Sequence, residues 1–143
     1  MARVEVDDCT VAEIGTGILA LIGIEKGDGA EQYQRLFERL VGYRIFPDKE
    51  GKMNLGLKDI QGGLLLVPQF TLVADTSRGM RPGFSMAAKP NEAEHIFSRL
   101  YKYASSHYPF VFKGIFSADM KVQLVNDGPA TFYLRSPPDV NQA

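Results

Sequence analysis

Two stretches of the chain repeat apolar side chains at helical spacing. After Asp28, with Glu31 three positions on as a capping-box partner, Tyr33, Leu36, Phe37, Leu40 and Val41 fall on one stripe, and Gly42 suits the helix end. A second stripe begins at Asn91 with Glu94 behind it. It runs through Ala93, Ile96, Phe97, Leu100, Tyr101 and Ala104, and must stop before Pro109. Each pattern predicts an amphipathic helix with one face to bury.

The remaining periodicity is that of strands. Val4–Val6 alternates and resumes over Thr10–Ile14 after Asp7-Asp8, a tight-turn pair. Ile18–Ile24 and Leu64–Leu72 are nearly unbroken apolar runs, as strands covered on both faces are. Shorter strands are expected at Tyr43–Phe46, Phe110–Phe116, Lys121–Val125 and Thr131–Arg135. The order β-β-β-α-β-β-α-β-β-β predicts an α+β fold: a curved, mostly antiparallel, barrel-like sheet with two amphipathic helices. No linker or repeat divides it, so residues 1–135 are expected to form one domain. The polar, proline-containing segment 136–143 is expected to fray.

Composition narrows the function classes. At 143 residues the chain has room for a core without disulfides or metal, and its 45% apolar and 23% charged residues are globular values. Sixteen basic against 17 acidic residues leave a net charge of −1, which excludes a general nucleic-acid coat but not a local basic patch. Cys9 is the single cysteine, and the N-terminus lacks the apolar core of a signal peptide. Both point to the cytoplasm, and no apolar run is long enough to span a membrane.

The usual catalytic constellations are missing. Both histidines, His95 and His107, fall on the second predicted helix, where a solvated face is their simplest reading. No zinc spacing, P-loop or dinucleotide fingerprint occurs, so no metal and no cofactor is expected. Three segments stand out instead. In Leu66–Leu72, Pro68 and Gln69 interrupt an apolar strand; Gln69 either faces solvent or offers donors and an acceptor to a ligand. The long loop Ala74–Pro90 carries Arg78, Arg81 and Lys89 against Asp75. It reads either as a solvated loop or as a phosphate-binding patch where Phe84 stacks on a base. Asn126-Asp-Gly-Pro129 is dense turn chemistry, an ordinary turn or one with a cis Gly128–Pro129 bond.

Taken in order, these segments resemble the D-aminoacyl-tRNA deacylase family over Val4–Leu134. The likeness is carried by Glu13-Ile-Gly15, Gly23-Ile-Glu-Lys26, Gly42-Tyr-Arg-Ile-Phe46, Gly51-Lys-Met-Asn-Leu55, Gln69-Phe-Thr-Leu72, Ala74-Asp-Thr76, Arg81-Pro82, Ala118-Asp-Met120 and Leu124-Val-Asn-Asp-Gly-Pro129. The resemblance implies a homodimer with its active site at the subunit interface. It implies hydrolysis of the ester joining a D-amino acid, or glycine, to the 3′-terminal adenosine of tRNA, with no DNA or membrane partner. It places the catalytic floor at Gln69, Phe70 and Thr71, and the chirality filter at a cis Gly128–Pro129 inserted from the partner. Met120, Arg78, Arg81 and Phe84 are the further substrate-binding residues it suggests.

The chemistry of those residues favours hydrolysis assisted by the substrate. A threonine nucleophile needs a base, and no histidine is evidently placed to supply one. Backbone N–H groups around Phe70 and Thr71 would stabilise the oxyanion, Gln69 would hold the ribose or ester oxygen, and the ribose 2′-OH would assist the water. Four features depart from the family pattern. The family begins about one strand earlier, with a segment that bears an arginine. Pro68 and Gly83 each stand where a serine is usual, and Ala130 stands where valine is usual. These departures keep two other readings open: a non-catalytic homolog that binds tRNA ends or only dimerises, and an editing module with altered specificity.

Overall fold

The computed structural model describes residues 1–138. Its elements are β1 (Ala2–Val6), β2 (Cys9–Ile14), β3 (Gly17–Ile22), α1 (Ala30–Gly42), β4 (Phe46–Pro47), β5 (Met53–Leu55), α2 (Leu57–Ile60), β6 (Gly63–Pro68), a 3-10 turn at Phe70–Val73, α3 (Pro90–His107), β7 (Val111–Lys113) and β8 (Lys121–Leu124). One sheet has the order β2-β1-β8 and is antiparallel throughout. Its hairpin closes through Asp7 and Asp8, both left-handed with φ of 51° and 62°, a turn whose twist matches the strands. The other large sheet, β3-β6-β7, is parallel throughout. Its crossovers carry α1 and α3.

The layers explain the apolar run in β6. Leu64 and Leu66 pack with Phe37, Leu40 and Val41 of α1 and with Phe97, Leu100 and Ala104 of α3. Leu65 and Val67 point the other way, against Val4 of β1 and Ala12 and Ile14 of β2. None of the four is more than 1% exposed. The molecule is therefore three layers deep, antiparallel sheet on parallel sheet on helices, with β6 in the middle one. At the start of the parallel pair the two backbones nearly touch: a Cβ on Gly17 would stand 2.0 Å from the Gly63 carbonyl oxygen.

The α+β class and both long helices agree with the sequence pattern, and antiparallel pairings outnumber parallel ones. Several boundaries differ. Gly29, not Asp28, caps α1, and Gln32 Oε1 accepts the Gly29 N–H at 2.8 Å. Asp28 instead accepts the Glu25 N–H at 2.8 Å. Helix α3 starts one residue early, with Pro90 at the first position, where its missing N–H is harmless. The expected Leu64–Leu72 strand stops at Pro68, and the expected Tyr43–Phe46 strand is reduced to Phe46–Pro47. The one-turn helix α2 has no counterpart in the pattern because four residues are too few to show a period. Among the described residues Thr131–Arg135 pairs with no strand. Of the segment expected to fray, residues 139–143 lie outside the described part.

Two predictions test this architecture. Leu66→Ala opens a cavity where no side chain can swing in, so it should lower unfolding free energy by about 2–5 kcal/mol, read as a reduced urea midpoint at unchanged slope. Asp28 tests the rim of the core. Burial raises its carboxyl above the usual value; the Glu25 N–H lowers it, the Glu25 charge raises it further and Arg135 opposes that. A carboxyl raised on folding favours the protonated state, so its charge costs stability at neutral pH and the cost fades as pH falls through the folded value. Asp28→Asn keeps an acceptor for Glu25, and its melting temperature should exceed the parent's at pH 7. That gain should vanish in scans run below the ordinary aspartate value of about 3.9.

Candidate active site

Strand β6 delivers the chain to the site. Pro68 ends it, the Gln69 N–H still reaches the Ile22 carbonyl at 2.8 Å, and the chain then turns sharply. The Leu72 N–H bonds the Gln69 carbonyl at 3.2 Å and the Ala74 N–H bonds that of Thr71 at 3.2 Å. Gly23 makes room for this turn: a Cβ there would lie 2.7 Å from Val73 Cγ1 and 3.3 Å from Leu72 Cβ. Phe70 and Thr71 open the 3-10 turn, so their N–H groups have no carbonyl one turn back to bond. The Gln69 amide Nε2 donates to Thr71 Oγ1, which holds the two polar side chains together. Phe70, 64% exposed, has its ring 5.3 Å from that of Phe84.

Phe84 arrives on the long loop, which the structure organises more than its sequence suggests. Asp75 and Gly83 form an isolated two-bond bridge, N–H to carbonyl at 2.7 and 2.9 Å. Asp75 Oδ1 also accepts the Ser77 N–H at 2.9 Å and the Ser77 hydroxyl at 2.6 Å. Those two bonds hold its carboxyl below the usual value, so the turn persists until pH falls through that lowered value. Arg78 and Arg81 are exposed within this bridged loop and, among the described residues, make no ion pair. They are therefore open to phosphate. A Cβ on Gly83 would meet only Asp75, at 3.8 Å, so glycine is not required there by space.

Met120 lies just ahead of β8. A Cβ on Gly114 would lie 2.8 Å from Met120 Sδ and 3.7 Å from Pro68 Cδ, which puts Met120 beside the end of β6. Gly128 and Pro129 lie on an exposed turn, with a cis peptide bond between them. Asn126 braces the turn: its Oδ1 accepts the Ala130 N–H at 2.8 Å and its Nδ2 donates to Thr131 Oγ1 at 2.8 Å. The sequence marks Asn126 as the start of a turn and Asp75 as the loop's acidic residue, and the structure adds the backbone bonds that each side chain accepts. The apolar pattern counts Gln69–Leu72 as strand, since the period alone does not distinguish a 3-10 turn.

Chemically, the Gln69–Thr71 turn offers oriented neutral donors and no proton acceptor of moderate strength. His95 and His107 are both exposed on α3: His95 Nε2 accepts from Arg99 Nε at 3.0 Å, and His107 Nδ1 lies 2.8 Å from the Tyr103 carbonyl. No cluster of metal-ligating side chains occurs among the described residues. Such a turn suits a reaction whose substrate is already activated and needs its developing charge held. That is the chemistry of an acyl ester hydrolase.

The comparisons with known proteins define which one. A family model described as D-Tyr-tRNA(Tyr) deacylase matches residues 1–135, and the chain belongs to that family. Its activity is that of a D-aminoacyl-tRNA deacylase, a hydrolase of an ester bond that serves proofreading in translation. The D-aminoacyl-tRNA deacylase of Methylococcus capsulatus is 56% identical over 138 residues, 96% of this chain and 90% of that protein. That of Stenotrophomonas maltophilia is 57% identical over 135 residues, 94% of this chain and 92% of the relative. Among solved structures, one described as c-Myc DNA Unwinding Element Binding Protein superposes with a TM-score of 0.90 at 32% identity, covering 95% of this chain and 93% of that one. Another, described as a probable eukaryotic D-amino acid tRNA deacylase, shares the fold with a TM-score of 0.71 at 16% identity, over 85% of this chain and 87% of that one.

The loop geometry makes its own prediction. Asp75→Ala removes both Ser77 bonds on an exposed residue, so the melting temperature should stay close to the parent's. Limited proteolysis within residues 76–82 should nonetheless speed up several-fold at neutral pH.

Proposed function

We propose that the Gln69–Phe70–Thr71 turn binds and hydrolyses the ester between a D-amino acid and the 3′-terminal adenosine of tRNA. The observation that carries this assignment of residues is the turn itself: two unbonded N–H groups and a neutral amide–hydroxyl pair exposed at the end of a strand that cannot move. The Phe70 and Thr71 N–H groups stabilise the oxyanion as water adds to the ester carbonyl. Gln69 holds a ribose or ester oxygen, and Thr71 is a contact, its hydroxyl already occupied as acceptor for Gln69. With no histidine at the turn, the ribose 2′-OH is the group closest to the reacting carbonyl that can position the water. The tetrahedral intermediate then collapses, the 3′-oxygen leaves with a proton, and free D-amino acid and tRNA result.

The remaining substrate contacts follow from placement. Phe84 beside Phe70 offers a stacking face to the terminal base, and Arg78 and Arg81 offer charge to the phosphates of the acceptor end. Met120 closes the side of the pocket next to Pro68. Selection of the D-ester is assigned to Gly128 and Pro129 of a second copy, with the two chains forming a homodimer whose site lies at the interface. Large exposed side chains on one chain support that arrangement: Leu124, Val125, Phe132 and Tyr133 flank the Gly128–Pro129 turn. The cytoplasm is where this substrate is found.

Side-by-side hydrolysis of D-Tyr-tRNA and L-Tyr-tRNA by the purified chain tests the reading. Loss of the D-ester alone is expected. Loss of both would remove the chirality filter from Gly128 and Pro129, and loss of neither would favour a binding protein without catalysis. Thr71→Ala should keep activity within about tenfold, because removing a true general base or nucleophile typically costs about 10²–10⁴. Arg78→Ala and Arg81→Ala should each weaken tRNA binding and reduce its salt slope by about one.

A further inference from the structure

Where α3 passes Tyr33 of α1, a groove of about 310 Å³ is lined by that tyrosine and by His95, Ser98, Arg99 and Lys102. The helical period explains why these four meet, since positions i, i+3, i+4 and i+7 share one face. The opposite face decides which way they point. Ala93, Phe97, Leu100 and Ala104 are buried in the helical layer, so His95, Arg99 and Lys102 are left exposed. Tyr33 is 8% exposed and packs edge-on against Tyr103, with ring centroids 6.0 Å apart.

The charge in this groove is not neutralised. Neither carboxylate of α3, Glu92 or Glu94, lines it, and among the described residues neither Arg99 nor Lys102 is ion-paired. In a chain of net charge −1 that is a local excess of cations. Arg99 is also oriented: its Nε donates to His95 Nε2 at 3.0 Å, which leaves the terminal amino groups of the fork to donate elsewhere. A fixed guanidinium, an ammonium and a hydroxyl converging where no anion of the protein answers them complement the oxygens of a phosphate.

Topology sets the groove on the way to the substrate's reacting end. Helix α3 is the crossover between the parallel strands β6 and β7, so it runs back against β6 and starts toward the end from which Gln69 emerges. It also starts where the cationic loop stops, with Lys89 as its N-cap. At about 1.5 Å per residue, His95, Arg99 and Lys102 lie roughly 8, 14 and 18 Å along the helix from Pro90. The loop's Arg78 and Arg81 and the helix's Arg99 and Lys102 are thus two separated cationic stations. That arrangement suits a polyanion with regularly spaced charges better than one small anion.

We propose that the groove of His95, Ser98, Arg99 and Lys102 is a second phosphate-binding station for the tRNA substrate, holding the sugar–phosphate backbone of the acceptor stem away from the ester. The Arg99 fork donates to the oxygens of one phosphate, Lys102 adds a point charge beside it, and Ser98 offers a hydroxyl. Contacts of this kind fix affinity and register and take no part in breaking the ester bond. The inference rests on tRNA being the substrate of this family and not on the assignment of Gln69, Phe70 and Thr71.

The test is steady-state hydrolysis of D-Tyr-tRNA by the parent, by the double variant Arg99→Ala/Lys102→Ala, and by Lys58→Glu. The last makes the same change of two charges on α2, just ahead of β6 and so at the far end of that strand from Gln69. The double variant should raise KM about tenfold at low salt, keep kcat within about twofold, and flatten the salt slope of tRNA binding by about 1.5–2. The 3′-D-tyrosyl ester of adenosine has no phosphate, so parent and double variant should hydrolyse it alike. An unchanged KM and salt slope for tRNA would overturn the proposal, as would a loss confined to kcat or a loss shared by the adenosine ester. An equal rise in KM for Lys58→Glu would make the effect one of net charge and overturn it too. Inorganic phosphate is the small-anion arm: should millimolar phosphate shield Lys102 from acetylation while tRNA does not, the groove is a site for free phosphate instead. Footprinting the parent also decides the matter should the double variant fail to fold or the parent prove inactive. Uncharged tRNA should slow acetylation of Lys102 at least about fivefold relative to Lys58, and equal acetylation would remove the station.

Discussion

The burial of β6 on both faces is the constraint on which the molecule depends. Leu64 and Leu66 close the helical layer, and Leu65 and Val67 close the antiparallel sheet, so one six-residue strand belongs to two cores at once. A strand locked in this way cannot slip by one residue, because a slip exchanges the two faces and leaves both layers mispacked. Everything that follows Pro68 inherits that rigidity. The site proposed at Gln69–Thr71 uses the first residues to emerge from the middle layer, where the strand fixes the direction of their N–H groups.

Rigidity of this kind suits a reaction in which the protein contributes position and fixed dipoles rather than a proton. The Gln69 amide, the Thr71 hydroxyl and two unbonded N–H groups are all neutral, and neither histidine lies on the same element. Preorganised donors cost no reorganisation as charge develops on the ester oxygen. The cationic loop supplies the complementary, longer-range contribution. Its backbone bridge at Asp75 and Gly83 holds Arg78 and Arg81 on one surface loop, and among the described residues neither is ion-paired, so their charge is available to an anionic ligand.

The departures at Pro68, Gly83 and Ala130 can be weighed in the same physical language. Pro68 occupies the last rung of β6 and packs near Gly114 and Met120, so it stiffens the exit from the strand while removing a donor. Gly83 contributes through its backbone, which bonds Asp75 both ways whatever side chain stands there. Ala130 offers its N–H to Asn126, again a backbone role. What these positions do in the fold is carried mainly by main-chain atoms, which explains how side chains there can vary while the architecture is retained.

Periodicity alone determined the elements that are long and one-sided: both main helices, the Asp7–Asp8 hairpin and a central strand apolar on every residue. Each buries enough side-chain area to impose its period on the sequence. Gln69 stood out as a polar break in an apolar run and Gly128–Pro129 as dense turn chemistry, while the resemblance carried by ordered short motifs brought in Phe70, Thr71 and Met120 and suggested roles for them all. Tertiary structure alone decided the rest. Which side chain caps α1 turned on whether Asp28 was drawn to Glu25 instead, and the end of β6 turned on Gly23 admitting a 3-10 turn against β3. The same holds for Thr131–Arg135, a strand by pattern that joins no sheet among the described residues. A strand is made by hydrogen bonds to a neighbour, and a sequence records the side chains that favour such a neighbour without recording whether it is there.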